Sequence, residues 1–149
     1  MSFMRKMQTM RSLSFRQLLF FPIIFILLGI ARIIILTIPF RVITRIFLES
    51  RNKKYLFTTR KMKVIMDLAK SITIAAKYTP WASKCLVQAL IIRLFLRIYS
   101  LPNIFYIGIS YDKDDKFLSH AWISVEDITV IGGQNSFLNF KIIKQFEDK

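Results

Sequence analysis

The sequence predicts an α+β fold, with helices first, an antiparallel sheet after them, and the sheet packed on a central helix that carries the sole cysteine. Three observations lead there. Apolar residues recur at helical spacing up to about Tyr99, and after "SLPN" the period changes to two. Segregated helices and strands in that order indicate α+β rather than alternating units. The length of 149 residues is one domain's worth, enough for one core and too little for two independent ones. Within one compact unit, residues 1–58 read as a basic, hydrophobic helical segment and residues 59–149 as the core.

The first helix lies in "LLFFPIIFILLGIARIIILTIPF" (Leu18–Phe40). Its apolar run from Leu18 to Ala31 covers fourteen residues before Arg32 interrupts it, short of the roughly twenty that span a bilayer's hydrocarbon core. A signal peptide is disfavoured too, because no small-residue cleavage site follows. Pro22 near the start and Pro39 at the end bound a helix of about sixteen to twenty residues, since helical geometry is unfavourable before a proline. A second helix begins near Phe40, with Arg41 and Arg45 on one face and Val42, Ile43, Ile46 and Phe47 on the other.

A polar, basic connector (Glu49–Lys63) leads into a third helix, about Thr59–Lys77, with Met62, Ile65, Met66, Ala69, Ile72 and Ala76 at core spacing. "KYTPW" breaks it. Ser83 is a good N-cap for a fourth helix that runs to about Tyr99 without Gly or Pro. Its polar residues, Lys84, Gln88, Arg93 and Arg97, form a narrow wet stripe on a helix otherwise suited to burial. Then "IFYIGISY" (Ile104–Tyr111), the turn "DKDDK" (Asp112–Lys116), "FLSHAWISV" (Phe117–Val125), the turn Glu126–Asp127 and "ITVIGG" (Ile128–Gly133) read as a meander.

The net charge of +14 is unevenly placed: residues 1–70 hold 14 Lys/Arg against 2 Asp/Glu, and residues 71–149 hold 9 against 7. No nucleic-acid motif accompanies this charge, and it flanks an apolar helix, so nucleic acid is not an expected partner. Contact of residues 18–47 with a membrane surface, or with acidic peptide or protein surfaces, fits better, and a plain solvated basic face is the other reading. The expected location is cytoplasmic with membrane association. One cysteine cannot form an internal disulfide, and a lone Cys with a lone His cannot build a zinc site, so no metal or cofactor is expected.

Cys85 and His120 are the only residues of their types and lie 35 positions apart. With Ser83 as N-cap, Cys85 occupies the second helical position, where free N–H groups, the helix dipole and neighbouring Lys84 favour a thiolate. The bland reading is also physical, because cysteine is a small hydrophobe and "KCLVQAL" is an apolar run. His120 shares its strand face with Trp122 and Ser124. Taken alone, a histidine of this kind is more often a satisfied structural residue. A cysteine opening the central helix can nevertheless meet a histidine in the sheet packed on that helix, as thiol–imidazole catalysis requires.

The arrangement of Trp81, Cys85, Leu86, Ala89 and Leu90, then Gly108, then Phe117, His120, Ala121, Trp122 and Ile123, then Gly132 and Gly133 resembles the peptidase half of the B-type proteins of lasso peptide biosynthesis. Those are compact transglutaminase-like, papain-related cysteine proteases. The apolar N-terminal helix ending in "PFRV" (Pro39–Val42) matches their layout as well. The resemblance implies a transglutaminase-like core and hydrolysis of one peptide bond, removing the leader from a ribosomally made precursor peptide. Cys85 would be the nucleophile and His120 the general base and acid. It also implies a separate leader-recognition protein, since this chain has no room for that domain, and a lasso cyclase acting on the freed core. Two alternatives use the same sequence differently: a transglutaminase-like acyl transferase with an amine acceptor, and a non-catalytic membrane-associated accessory protein.

Many such relatives carry an Asp about twelve residues after the His as its orienter. Here that position is Gly132. A two-residue turn at Glu126–Asp127 pairs Val125 with Ile128 and sets His120 opposite Gly133. The next same-face residue is then Asn135, with Gln134 reached after a one-residue bulge; Asp127 is too close to the turn. Oxyanion donors are expected from N–H groups at the start of the Cys85 helix, with a side chain from the segment around Trp81 as a further candidate.

Overall fold

The structure is a computed structural model that describes residues 15–49, 57–133 and 136–148. Its elements follow the expected order: α1 (Phe15–Thr37), α2 (Phe40–Ile43) continued by a π-helical turn (Thr44–Leu48), α3 (Thr59–Ala76), α4 (Cys85–Ile98), β1 (Asn103–Tyr111), β2 (Phe117–Val125), β3 (Ile128–Ile131), α5 (Ser136–Asn139) and β4 (Lys141–Asp148). The α+β architecture is as predicted. α4 is the central layer, with α1 and α3 packed on it from one direction and the sheet from the other.

The core is made by the faces that meet on α4. Ile65, Leu68, Ile72 and Ala75 of α3 and Ile24 and Leu28 of α1 are buried, as are Val87, Ala89, Ile92 and Leu96 of α4 and Phe105, Ala121, Ile123 and Val125 of the sheet. Met66, expected at core spacing, is instead exposed, and Leu68 and Ile74 take its share of burial. α1 is longer than expected, 23 residues, because the helix starts at Phe15 and runs through Pro22, whose ring lies on the exposed side. After it, only Ile43 and Leu48 are buried in the Phe40–Leu48 stretch, and Val42 and Ile46 stand in solvent. The π turn acts only on the residues after Ile43, where an i to i+5 bond such as Glu49 N–H to the Thr44 carbonyl (2.8 Å) turns them off the α-helical face.

The sheet has four strands, not three, in the order β3-β2-β1-β4. The sequence reading stopped at Gly133 and missed β4, which pairs antiparallel with β1 from Asn103–Asp148 to Ile109–Lys141. β4 carries an apolar edge, "KII", and ends with buried Asp148. That carboxylate corrects the wet-stripe reading of α4. Arg93 and Asp148 are 1% and 0% exposed and lie 3.2 Å apart. Arg97 forks onto the same carboxylate at 2.7 and 3.1 Å. The remaining guanidinium donors reach the carbonyls of Phe146 (3.0 Å), Leu48 (3.2 Å) and Glu49 (2.7 Å). One buried network therefore joins the C-terminal half of α4, the last strand and the end of the π turn. Two cations on one carboxylate leave net positive charge inside, which three backbone carbonyls offset by accepting from the terminal guanidinium nitrogens.

Candidate active site

Thr79 hydrogen-bonds the Ser83 hydroxyl at 2.9 Å, and the Ser83 carbonyl accepts from Gln88 Nε2 at 2.7 Å. With its side chain so engaged, Ser83 does not cap α4. The helix begins one residue later than expected: Lys84 is the N-cap, with no side-chain cap, and Cys85 is the first helical residue rather than the second. The shift keeps the thiol at the helix start, among the N–H groups that no helical carbonyl accepts.

β2 delivers His120. Its register with β1 places His120 opposite Gly108. A Cβ on Gly108 would stand 2.8 Å from the Trp122 ring and 2.9 Å from Phe140 Cβ, so the missing side chain is the space those aromatics occupy. Trp122 is fully buried, and its ring stacks on Tyr106 at 5.4 Å. The imidazole is stacked with Phe140 (4.8 Å between centroids) and with Trp122 (5.9 Å). Phe140 was not singled out in the sequence; it follows α5, in the segment the meander reading left out.

Cys85 and His120 meet. Burial pushes the Cys85 thiol up, but it is outweighed by the hydrogen bond with His120, the Ala121 N–H, the imidazolium charge and the Leu86 N–H, and the net shift is downward. The bond to Cys85 is also the main reason that the His120 pKa is raised; burial opposes it, and the Gly132 carbonyl and the thiolate charge add to it. Both shifts favour a thiolate–imidazolium pair. Lys84, adjacent in sequence, is exposed and contributes none of this.

The other ring nitrogen, Nε2, lies 2.7 Å from the Gly132 carbonyl oxygen. A carbonyl only accepts, so Nε2 must keep its proton, and Nδ1 is the nitrogen left for the thiol. The single hydroxyl proton of buried Ser136 is shared between the same Gly132 oxygen (2.7 Å) and the Gly133 carbonyl (2.8 Å). The turn that makes this contact differs from the expected one. Val125 does pair with Ile128, but the register shifts after Ser124–Thr129 so that Ile123 pairs with Ile131. Val130 is the extra residue of this bulge. Gly132 therefore stacks on Trp122, with a backbone φ of +100°, and a Cβ there would lie 2.4 Å from Trp122 Cβ. Only glycine fits both the torsion and the space. Gln134 and Asn135, the two expected orienters, lie outside the described residues.

Cys85 and His120 line a cleft of about 330 Å³, walled by Thr73 of α3, Gln88 of α4 and the β3 segment 129–133. Trp81 does not line it; its indole lies against Phe25 (5.2 Å, edge-on) and over Gly29 of α1. Among the described residues no three His, Cys, Asp or Glu side chains converge as a metal site would require.

A comparison with protein families matches residues 34–145, more than two thirds of the chain, to the transglutaminase-like superfamily. The chain belongs to the transglutaminase-like superfamily. No curated protein and no solved structure matched it. Members of this superfamily share a fold of the cysteine protease and acyltransferase type. In this transglutaminase-like chain the matched span includes α4, the whole of β1 to β3 and Gly132. Within that span Gly132 contacts His120 through its main chain.

Proposed function

We propose that the chain is a cysteine peptidase that removes the leader from a ribosomally made precursor of the lasso peptide type, with Cys85 as nucleophile and His120 as general base and acid. The observation that carries this is the continuous contact from Cys85 through His120 to the Gly132 carbonyl at the wall of a cleft. The leader specificity rests on the resemblance of the Cys-helix and His-Ala-Trp patterns to lasso B-type proteins.

In the reaction, the Cys85 thiolate attacks the scissile carbonyl, and N–H groups of the first turn of α4 stabilise the oxyanion. The His120 Nδ1 proton goes to the departing amine of the core peptide, leaving a leader thioester on Cys85 and a neutral imidazole. Nδ1 then deprotonates water, the hydroxide attacks the thioester, and the leader leaves as a carboxylate while the thiolate and imidazolium are restored. Throughout, the Gly132 carbonyl holds Nε2–H, which keeps Nδ1 aimed at the sulfur. A separate leader-recognition protein would present the substrate and a lasso cyclase would use the core.

The product decides between hydrolysis and acyl transfer. Incubation of the precursor with its leader-recognition protein and this chain in H2-18O should yield a core with a free amine and a leader whose new carboxylate carries one 18O, read by mass spectrometry. A leader joined to an added amine, without 18O, would assign the site to an acyl transferase instead.

A further inference from the structure

α1 presents a second apolar face, distinct from the residues that line the cleft. Its core side is well used: Ile24 and Leu28 are fully buried, Phe21 packs edge-on with Tyr78 at 6.2 Å, and Phe25 packs on Trp81. Its other side is as apolar as the first. Ile23, Ile26, Ile30, Ile33 and Leu36 recur at three- and four-residue steps with exposures of 53, 61, 48, 62 and 66%, and Phe40 continues the row at 48%. Over Phe20–Thr37 the mean hydropathy is 2.5, and only 11% of the window is buried. A core helix is buried on all its apolar sides, and an isolated soluble domain rarely leaves a row of this length in water.

We propose that this face of α1 is seated in the surface of an anionic lipid bilayer, with the helix lying in the membrane plane. Charge selects the occupant. The apolar run is preceded in the sequence by Arg5, Lys6, Arg11 and Arg16 and followed by the exposed Arg41 and Arg45, and basic flanks add affinity for anionic headgroups. A second copy of the chain would bring another +14 against the same face. Orientation follows from the packed side. A spanning α1 would draw α3 into the hydrocarbon, and α3 carries Lys61, Lys63, Asp67, Lys70 and Lys77 along or beside it. Lying flat, α1 keeps its inner face on α3 and α4 and gives only its outer face to lipid. Because Tyr78 and Trp81, in the segment entering α4, pack on the inner face, the bilayer would hold the Cys85 cleft at a fixed height.

The test uses the full chain with vesicles of phosphatidylcholine alone and with added phosphatidylglycerol. Flotation should show at least tenfold tighter binding to the anionic vesicles, weakened by salt. The triple variant Ile26→Ser, Ile30→Ser, Ile33→Ser should lose most binding while keeping its circular dichroism spectrum and cleavage of a short soluble peptide. Ile23→Cys, Ile30→Cys and Leu36→Cys, each labelled in a Cys85→Ala background, should show equal, shallow depths by brominated-lipid quenching. No binding to anionic vesicles, unaltered binding by the triple variant, a depth gradient along α1, or a stable dimer or protein complex that covers the row would each overturn the proposal.

Discussion

Replacing His120 with alanine is expected to raise the pH at which Cys85 becomes alkylatable and to abolish peptide cleavage. In the native chain the thiol is pulled below its ordinary value, so iodoacetamide should modify Cys85 at lower pH than it modifies a free thiol. The sign follows from the balance of causes. Burial is the largest influence and acts upward, and His120 supplies two of the four opposing ones. Without the imidazole, burial faces only the Ala121 and Leu86 N–H groups, and the alkylation midpoint should move upward. Cleavage should fall by roughly 10³-fold or more, since both thiol activation and proton delivery to the leaving amine are lost.

The same shifts set the pH profile expected of the native chain. Activity should rise as the thiol loses its proton, below the usual thiol range, and fall as the imidazolium loses its own, above the usual imidazole range. The two limbs belong to the pair rather than to either residue. An unperturbed profile, with alkylation following an ordinary thiol in both proteins, would show that the contact does not activate Cys85.

Replacing Asp148 with alanine is the second large effect, on stability rather than chemistry. It removes the carboxylate that both Arg93, 1% exposed, and Arg97, 10% exposed, contact. Removing one partner of such a buried pair costs about 3–5 kcal/mol because the remaining charge is desolvated and uncompensated. For a domain of this size each kcal/mol lowers the melting temperature by about 2–4 °C. A drop of roughly 6–20 °C in thermal denaturation is therefore expected. A loss of under about 1 kcal/mol would mean that solvent reaches these groups and that their pairing is a surface one.

The comparison of sequence with structure turns on what each residue pattern encodes. β1 and β2 are legible as strands from their β-branched and aromatic residues and the turn residues that bound them, although β2 is buried on both faces from Ala121 to Val125. β4 gave no such signal, since it is an edge strand whose residues are mostly exposed; what holds it is pairing with β1 and the Asp148 network, both long-range. Arg93 and Arg97 read as a solvent stripe for the same reason, as the carboxylate that admits them to the interior lies 51 or more residues further on.

The site shows a similar division. Cys85 and His120 were legible as residue types at a helix start and in a strand, and the family pattern joined them. The contact on His120 Nε2 was not legible, because it is made by a main-chain oxygen, and every residue carries one. Gly132 carries a signal of its own only as a glycine at the position where the resemblance leads one to expect an Asp. Its φ of +100° and its packing on Trp122 show why that position excludes a side chain while its carbonyl reaches the ring. A carbonyl fixes the tautomer as a carboxylate would, without adding a negative charge to stabilise the imidazolium. In this chain the thiolate itself is the imidazolium's charged partner.

The most direct measurement is the cleavage of the precursor peptide, in the presence of its leader-recognition protein, by the native chain and by the Cys85→Ala and His120→Ala variants, followed by mass spectrometry. The native chain should cut one peptide bond at the leader–core junction, and neither variant should produce more than background. Cleavage at the native rate by either variant would contradict the assignment of Cys85 and His120 as nucleophile and base.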